Sequence, residues 1–78
     1  MNYLPKKQVQ DQLGMIGYQK PFTVVFVKKD GSQRKLKCML EKPTKPINYN
    51  KPVPVMDLEK NKWSSFDVSK VLYIGEDN

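Results

Sequence analysis

The chain has 78 residues, 38% hydrophobic and 28% charged, with fourteen Lys/Arg against eight Asp/Glu, no His and one Cys. That length holds a single domain of residues 1–78 with one core, and the composition is globular rather than disordered. No run approaches the ~20 apolar residues of a membrane span, and one Cys excludes an internal disulfide.

The net charge of +6 is unevenly placed: residues 1–52 carry eleven Lys/Arg and three acids, while residues 53–78 carry three Lys and five acids. The basic excess therefore lies in the first two thirds, and an excess of that kind suits a polyanion or an acidic protein surface. The N-terminal MNYLPKKQVQ has no signal-peptide apolar segment, so the expected location is cytoplasmic.

Residues 1–14 read as a short helix. Pro5 suits the first helical position, Leu4 or Met1 with Val9 and Leu13 approximates an i, i+4 stripe, and Gly14 is the expected stop. A helix this short must dock on something to persist. Met15, Ile16 and Tyr18 follow as a connector expected to plug one end of the core.

Residues 20–40, KPFTVVFVKKDGSQRKLKCML, form the clearest stretch. Phe22 to Val27 are β-branched or aromatic, the types that fit a pleated, half-buried surface. Asp30-Gly31 between two apolar runs is a strong hairpin signal. The return strand alternates Arg34, Leu36, Cys38 and Leu40 against Lys35, Lys37 and Met39, so one face is apolar and the other basic.

Residues 41–52 form a Pro-rich basic loop. Four prolines between Glu41 and Pro54 exclude a helix interior or a central strand. Lys42, Lys45 and Lys51 make it basic, and Ile47 and Tyr49 have no evident place to go. Val53 to Leu58 is a third strand, Glu59 to Lys62 a turn, and Trp63 to Phe66 a fourth strand. Asp67-Val68-Ser69 is a tight, 3₁₀-type turn, Lys70 to Ile74 a fifth strand, and residues 75–78 an acidic tail.

The fold class is thus mostly β. One short N-terminal helix precedes five short strands over residues 20–74, and a 3₁₀ turn lies between the last two. That order is the arrangement of a small five-stranded SH3-like or Sm-like barrel, and closing such a barrel removes exposed sheet edges.

No catalytic constellation is present. The missing His removes the commonest general base and metal ligand, and one Cys cannot build a structural zinc site. Cys38 shares a strand face with Leu36 and Leu40, which reads as a core thiol rather than a nucleophile. Asp57 with Asp67 is the only paired-carboxylate option, and the glycines at 14, 17, 31 and 75 are isolated, so no phosphate loop exists. The expectation is a protein that is not an enzyme and holds no metal or cofactor.

Binding residues are easier to name. Lys28, Lys29, Arg34, Lys35 and Lys37 line the hairpin, where lysines can track phosphates and Arg34 can fork onto one. The bland alternative is a solvated outer face that discourages edge pairing. Single-stranded nucleic acid is commonly gripped by such a basic surface with aromatic platforms. Most aromatics here belong in the core. Lys45 lies in the basic loop, where Tyr49 is the best exposed candidate; Trp63 is weighed between core packing and surface stacking.

The pieces F-x-V-x-F-x-K-K-D-G-S-x-R at Phe22 to Arg34, K-L-K-C-M-L at Lys35 to Leu40, V-x-V-M-D-L at Val53 to Leu58, and W-S-S-F before a closing strand resemble the WYL_2 family. These are small Sm-like/SH3-like barrel proteins found mainly in tailed bacteriophages. The resemblance covers about Pro21 to Ile74, with one departure: where the family pattern often carries a basic residue after the Trp, this chain has Ser64. It implies a barrel and a viral setting in the host bacterial cytoplasm, and it implies no reaction. Two partner readings follow. One is nucleic acid, DNA or RNA, contacted by the basic hairpin and loop. The alternative is a host-takeover protein docking on an acidic bacterial protein of the transcription, replication or defence machinery. A homo-oligomer through the fifth strand is a third reading.

Overall fold

The computed structural model describes residues 2–42 and 47–76. The chain is mostly β: a helix α1 (Lys6–Ile16) precedes β1 (Phe22–Val27), β2 (Gln33–Met39), β3 (Val53–Asp57), β4 (Lys62–Phe66), a 3₁₀ turn (Val68–Lys70) and β5 (Val71–Glu76). The strands form one antiparallel sheet of order β4-β3-β2-β1-β5.

The hairpin register pairs Val24 with Leu36 and Phe26 with Arg34. At the turn, the Gly31 amide donates to Lys28 O at 2.9 Å and the Lys28 amide to Ser32 O at 2.8 Å. Gly31 supplies the one positive φ this turn needs, +88°. β1 sits second from one edge and pairs on its other side with β5, with a register shift between Val25 and Phe26.

The sheet is strongly curled. In a flat sheet β1 and β4, three strand spacings apart, would lie about 14 Å from each other. The rings of Phe26 and Phe66 on those strands instead meet at 5.8 Å between centroids. Inside the curl, Phe22, Val24, Leu36, Cys38, Val53, Val55, Phe66, Val68 and Val71 are buried. The alternation read for β1 and β2 therefore points as expected.

The helix covers this core rather than projecting from it. Val9, Leu13 and Ile16 join the apolar cluster, and the Leu4 amide donates to Val71 O at 2.7 Å, tying the approach segment to β5. Two boundaries differ from the sequence reading. Pro5 is the cap residue, one position before the helix, with ψ of 139°. The helix also runs through Gly14 and ends at Gly17, whose φ is 80° and whose amide donates to Leu13 O at 3.0 Å. A helical glycine costs about 1 kcal/mol, whereas burying Ile16 is worth about 1.5–3 kcal/mol, so the longer helix wins. Of the three residues expected to plug the core, only Ile16 does so; Met15 and Tyr18 are exposed.

Candidate functional site

The β1–β2 hairpin projects past its neighbour. β3 meets β2 only at Cys38–Asp57 and Met39–Met56, with Leu58 N donating to Lys37 O at 3.0 Å. Among the described residues, the first half of β2 therefore has a strand partner on the β1 side alone. Below the projecting tip lies a groove of about 250 Å³. Its apolar floor is Phe26, Val27, Pro52 and Phe66, and its rim carries Lys28, Lys29, Arg34, Lys70, Ser65 and Asp67. Among the described residues the rim thus carries four cations and one acid, with Arg34 also paired to Asp57.

That acid has a structural role. The Asp67 carboxylate accepts from the Ser69 amide at 2.9 Å and the Ser69 hydroxyl at 2.6 Å, capping the 3₁₀ turn. The Ser69 hydroxyl, then its amide, hold this carboxyl below its ordinary pKa against a smaller opposing effect of burial, with help from Lys70 and Lys6. At the hairpin tip Asp30 makes the same pair of bonds to Ser32, at 2.9 and 2.6 Å, and is lowered for the same reason. These two D-x-S turns fix both carboxylates in their ionised form, so each subtracts one charge from the lysines around it.

Arg34 is held differently. Its Nη2 lies 3.1 Å from Oδ2 of Asp57, which is almost fully buried. Oδ1 of Asp57 accepts from the amides of Glu59 at 2.9 Å and Lys60 at 3.1 Å, closing the β3–β4 turn. Burial pushes the Asp57 pKa up, but the two amides and the Arg34 guanidinium outweigh it and leave the carboxyl below its ordinary value. Arg34 therefore neutralises a buried structural charge, with part of its guanidinium still at the rim. Asp57 and Asp67 serve separate turns and do not form the carboxylate pair considered from the sequence.

The remaining expected site residues are distributed as follows. Lys35 and Lys37 project from the opposite, outer face of β2. Trp63 is 59% exposed on the outer face of β4, opposite Met56. It lies outside the core because Phe66, three residues on, takes the inward position. Tyr49 corrects its expectation: with Ile47 it packs against the apolar cluster, and burial, then Tyr18, raises its phenol pKa. An Asn48–Lys51 turn and a 2.6 Å bond from Lys6 Nζ to Asn50 Oδ1 hold that part of the loop against the helix. Lys45 lies outside the described residues.

Sequence reasoning missed Lys70, which the 3₁₀ turn brings to the rim, and Tyr73, which is 54% exposed on β5. Period-two alternation cannot place Tyr73, because the shift at Val25/Phe26 resets the β5 register. Cys38 is fully buried; burial, then the Asp57 charge, pushes its pKa up to about 12, so the thiol stays protonated at neutral pH. Among the described residues no group of three His, Cys, Asp or Glu is placed to hold a metal ion, and no helix is long and apolar enough to cross a membrane. No family model, curated protein or solved structure matches this chain.

Proposed function

We propose that this is a non-enzymatic binding protein that contacts nucleic acid through the rim of the hairpin groove. The observation that carries the reading is the convergence of Lys28, Lys29, Arg34 and Lys70 around one groove that, among the described residues, carries a single acid, Asp67. Phosphates spaced along a backbone fit such a rim, and their affinity comes from counterion release. The apolar floor suits the less polar parts of a nucleotide, although Phe26 and Phe66 are buried too deeply to stack on bases.

The sheet order and the 3₁₀ turn linking its two edge strands support the SH3-like or Sm-like barrel reading. With it stands the proposed likeness to the WYL_2 barrels and a setting in a phage-infected bacterial cytoplasm. The test is fluorescence anisotropy with labelled DNA and RNA oligomers at 50 mM salt. Binding that weakens when Lys28 and Lys29 are both changed to Ala supports the reading. If neither polymer binds, the reading is wrong and an acidic protein partner takes its place.

A further inference from the structure

Side chains directly opposite each other in an antiparallel pair share a face. On the outer face, Lys35 pairs with Val25 and Val25 with Tyr73, so Lys35, Val25 and Tyr73 form one row across β2, β1 and β5. Lys37, Thr23 and Gly75 form the next. Met39, Met56 and Trp63 form a third row across β2, β3 and β4. This face carries two exposed aromatics, Tyr73 and Trp63, with lysines between them and no carboxylate at any of these nine positions.

The aromatic at β5 is seated rather than loose. A Cβ built at Gly75 would lie 2.5 Å from the Tyr73 hydroxyl oxygen and 3.0 Å from its ring, so the ring lies over Gly75, whose missing side chain leaves room for it. The contact lies within the edge strand β5, between residues two apart on one face. Trp63 is flanked by Met56 across the strand pair and by Lys62 in sequence.

We infer that this outer face is a stacking track that makes the protein selective for single-stranded over duplex nucleic acid. The inference rests on the nucleic-acid reading above and deepens it. The positive charge suits phosphate, and exposed rings suit bases whose faces are free, which a duplex does not offer. The hairpin joins the two surfaces, since Arg34 faces the groove and its neighbour Lys35 faces the track. Counting about 4.8 Å per strand step and 3.3 Å per residue, the path along the outer surface of the curled sheet from Tyr73 to Trp63 by way of β1, β2 and β3 is about 23 Å. That is about seven stacked nucleotides at ~3.4 Å each, so a ten-nucleotide strand reaches both rings.

Trp63 is the only tryptophan, so its fluorescence reports on the track directly. The full chain is titrated at 50 mM salt with a ten-nucleotide oligothymidine and, separately, with a ten-base-pair duplex. The track predicts quenching by the single strand alone. Anisotropy should show single-strand affinity falling about 5- to 150-fold in Trp63→Ala and in Tyr73→Ala, the range of one stacked base. Duplex affinity should be unchanged in both. Trp63→Phe and Tyr73→Phe should retain most of the affinity. Gly75→Ala should also weaken the single strand by displacing the Tyr73 ring. Equal binding of strand and duplex, or single-strand binding indifferent to both alanine variants, overturns the track and leaves the groove reading standing. If neither polymer binds, both readings fail.

Discussion

At the scale of single residues, the chain uses its carboxylates as structural caps. Asp30, Asp57 and Asp67 all have pKa values below the ordinary 3.8 in the fold. Each then contributes stability that is fully present above the unfolded value and is lost as pH falls through the folded one. Thermal stability should therefore hold from pH 7 to about 5 and decline below about pH 4. Asp57→Asn, which keeps an acceptor for the turn amides but removes the charge facing Arg34, should lower the melting temperature at pH 7 and flatten the acid decline. An acid limb unchanged from the parent would assign the effect to other groups. Cys38 gives a second expectation at this scale. A thiol that is fully buried, with its pKa near 12, should resist a disulfide exchange reagent at pH 8 while the chain is folded and react fully in denaturant. Fast labelling of the native chain would contradict its placement.

At the scale of elements, α1 shows tertiary packing overriding a local stop signal. Gly14 is exposed on the helix, and a Cβ there would meet nothing within 4 Å. Gly14→Ala should therefore raise stability by about 0.5–1 kcal/mol, measured by urea unfolding. Destabilisation would mean that the helix ends where the glycine stands. The strands were more legible than the helix end. The apolar β1 run, the Asp-Gly turn and the lysine alternation of β2 fix the hairpin and its faces, because a one-residue slip would bury Lys35 and Lys37. The 3₁₀ turn was readable too, since an Asp two residues before a Ser caps its own backbone. The destinations of Ile47 and Tyr49 were not readable, because a Pro-rich loop has no periodicity to say which side chains fold back. Nor was the exposure of Tyr73, which depends on the register shift between β1 and β5; that of Trp63 follows from alternation once Phe66 is the inward residue.

At the scale of the whole molecule, the basic half of the sequence supplies most of a cationic surface. Lys28, Lys29 and Arg34 were legible as a cluster because one hairpin carries them. Lys70 was not, because it arrives from the acidic half through the turn between β4 and β5. The central claim is that this surface binds a polyanion. It is tested most directly by the salt dependence of affinity for a ten-nucleotide oligothymidine. Four phosphate contacts, from Lys28, Lys29 and Lys70 at the groove and Lys35 on the outer face, with Arg34 left to Asp57, predict a slope of log affinity on log salt of about −3, or about 50-fold loss between 50 and 200 mM. Replacing Lys28 and Lys29 with Ala should halve that slope. A slope near zero, or one that the double variant leaves unchanged, would contradict the account.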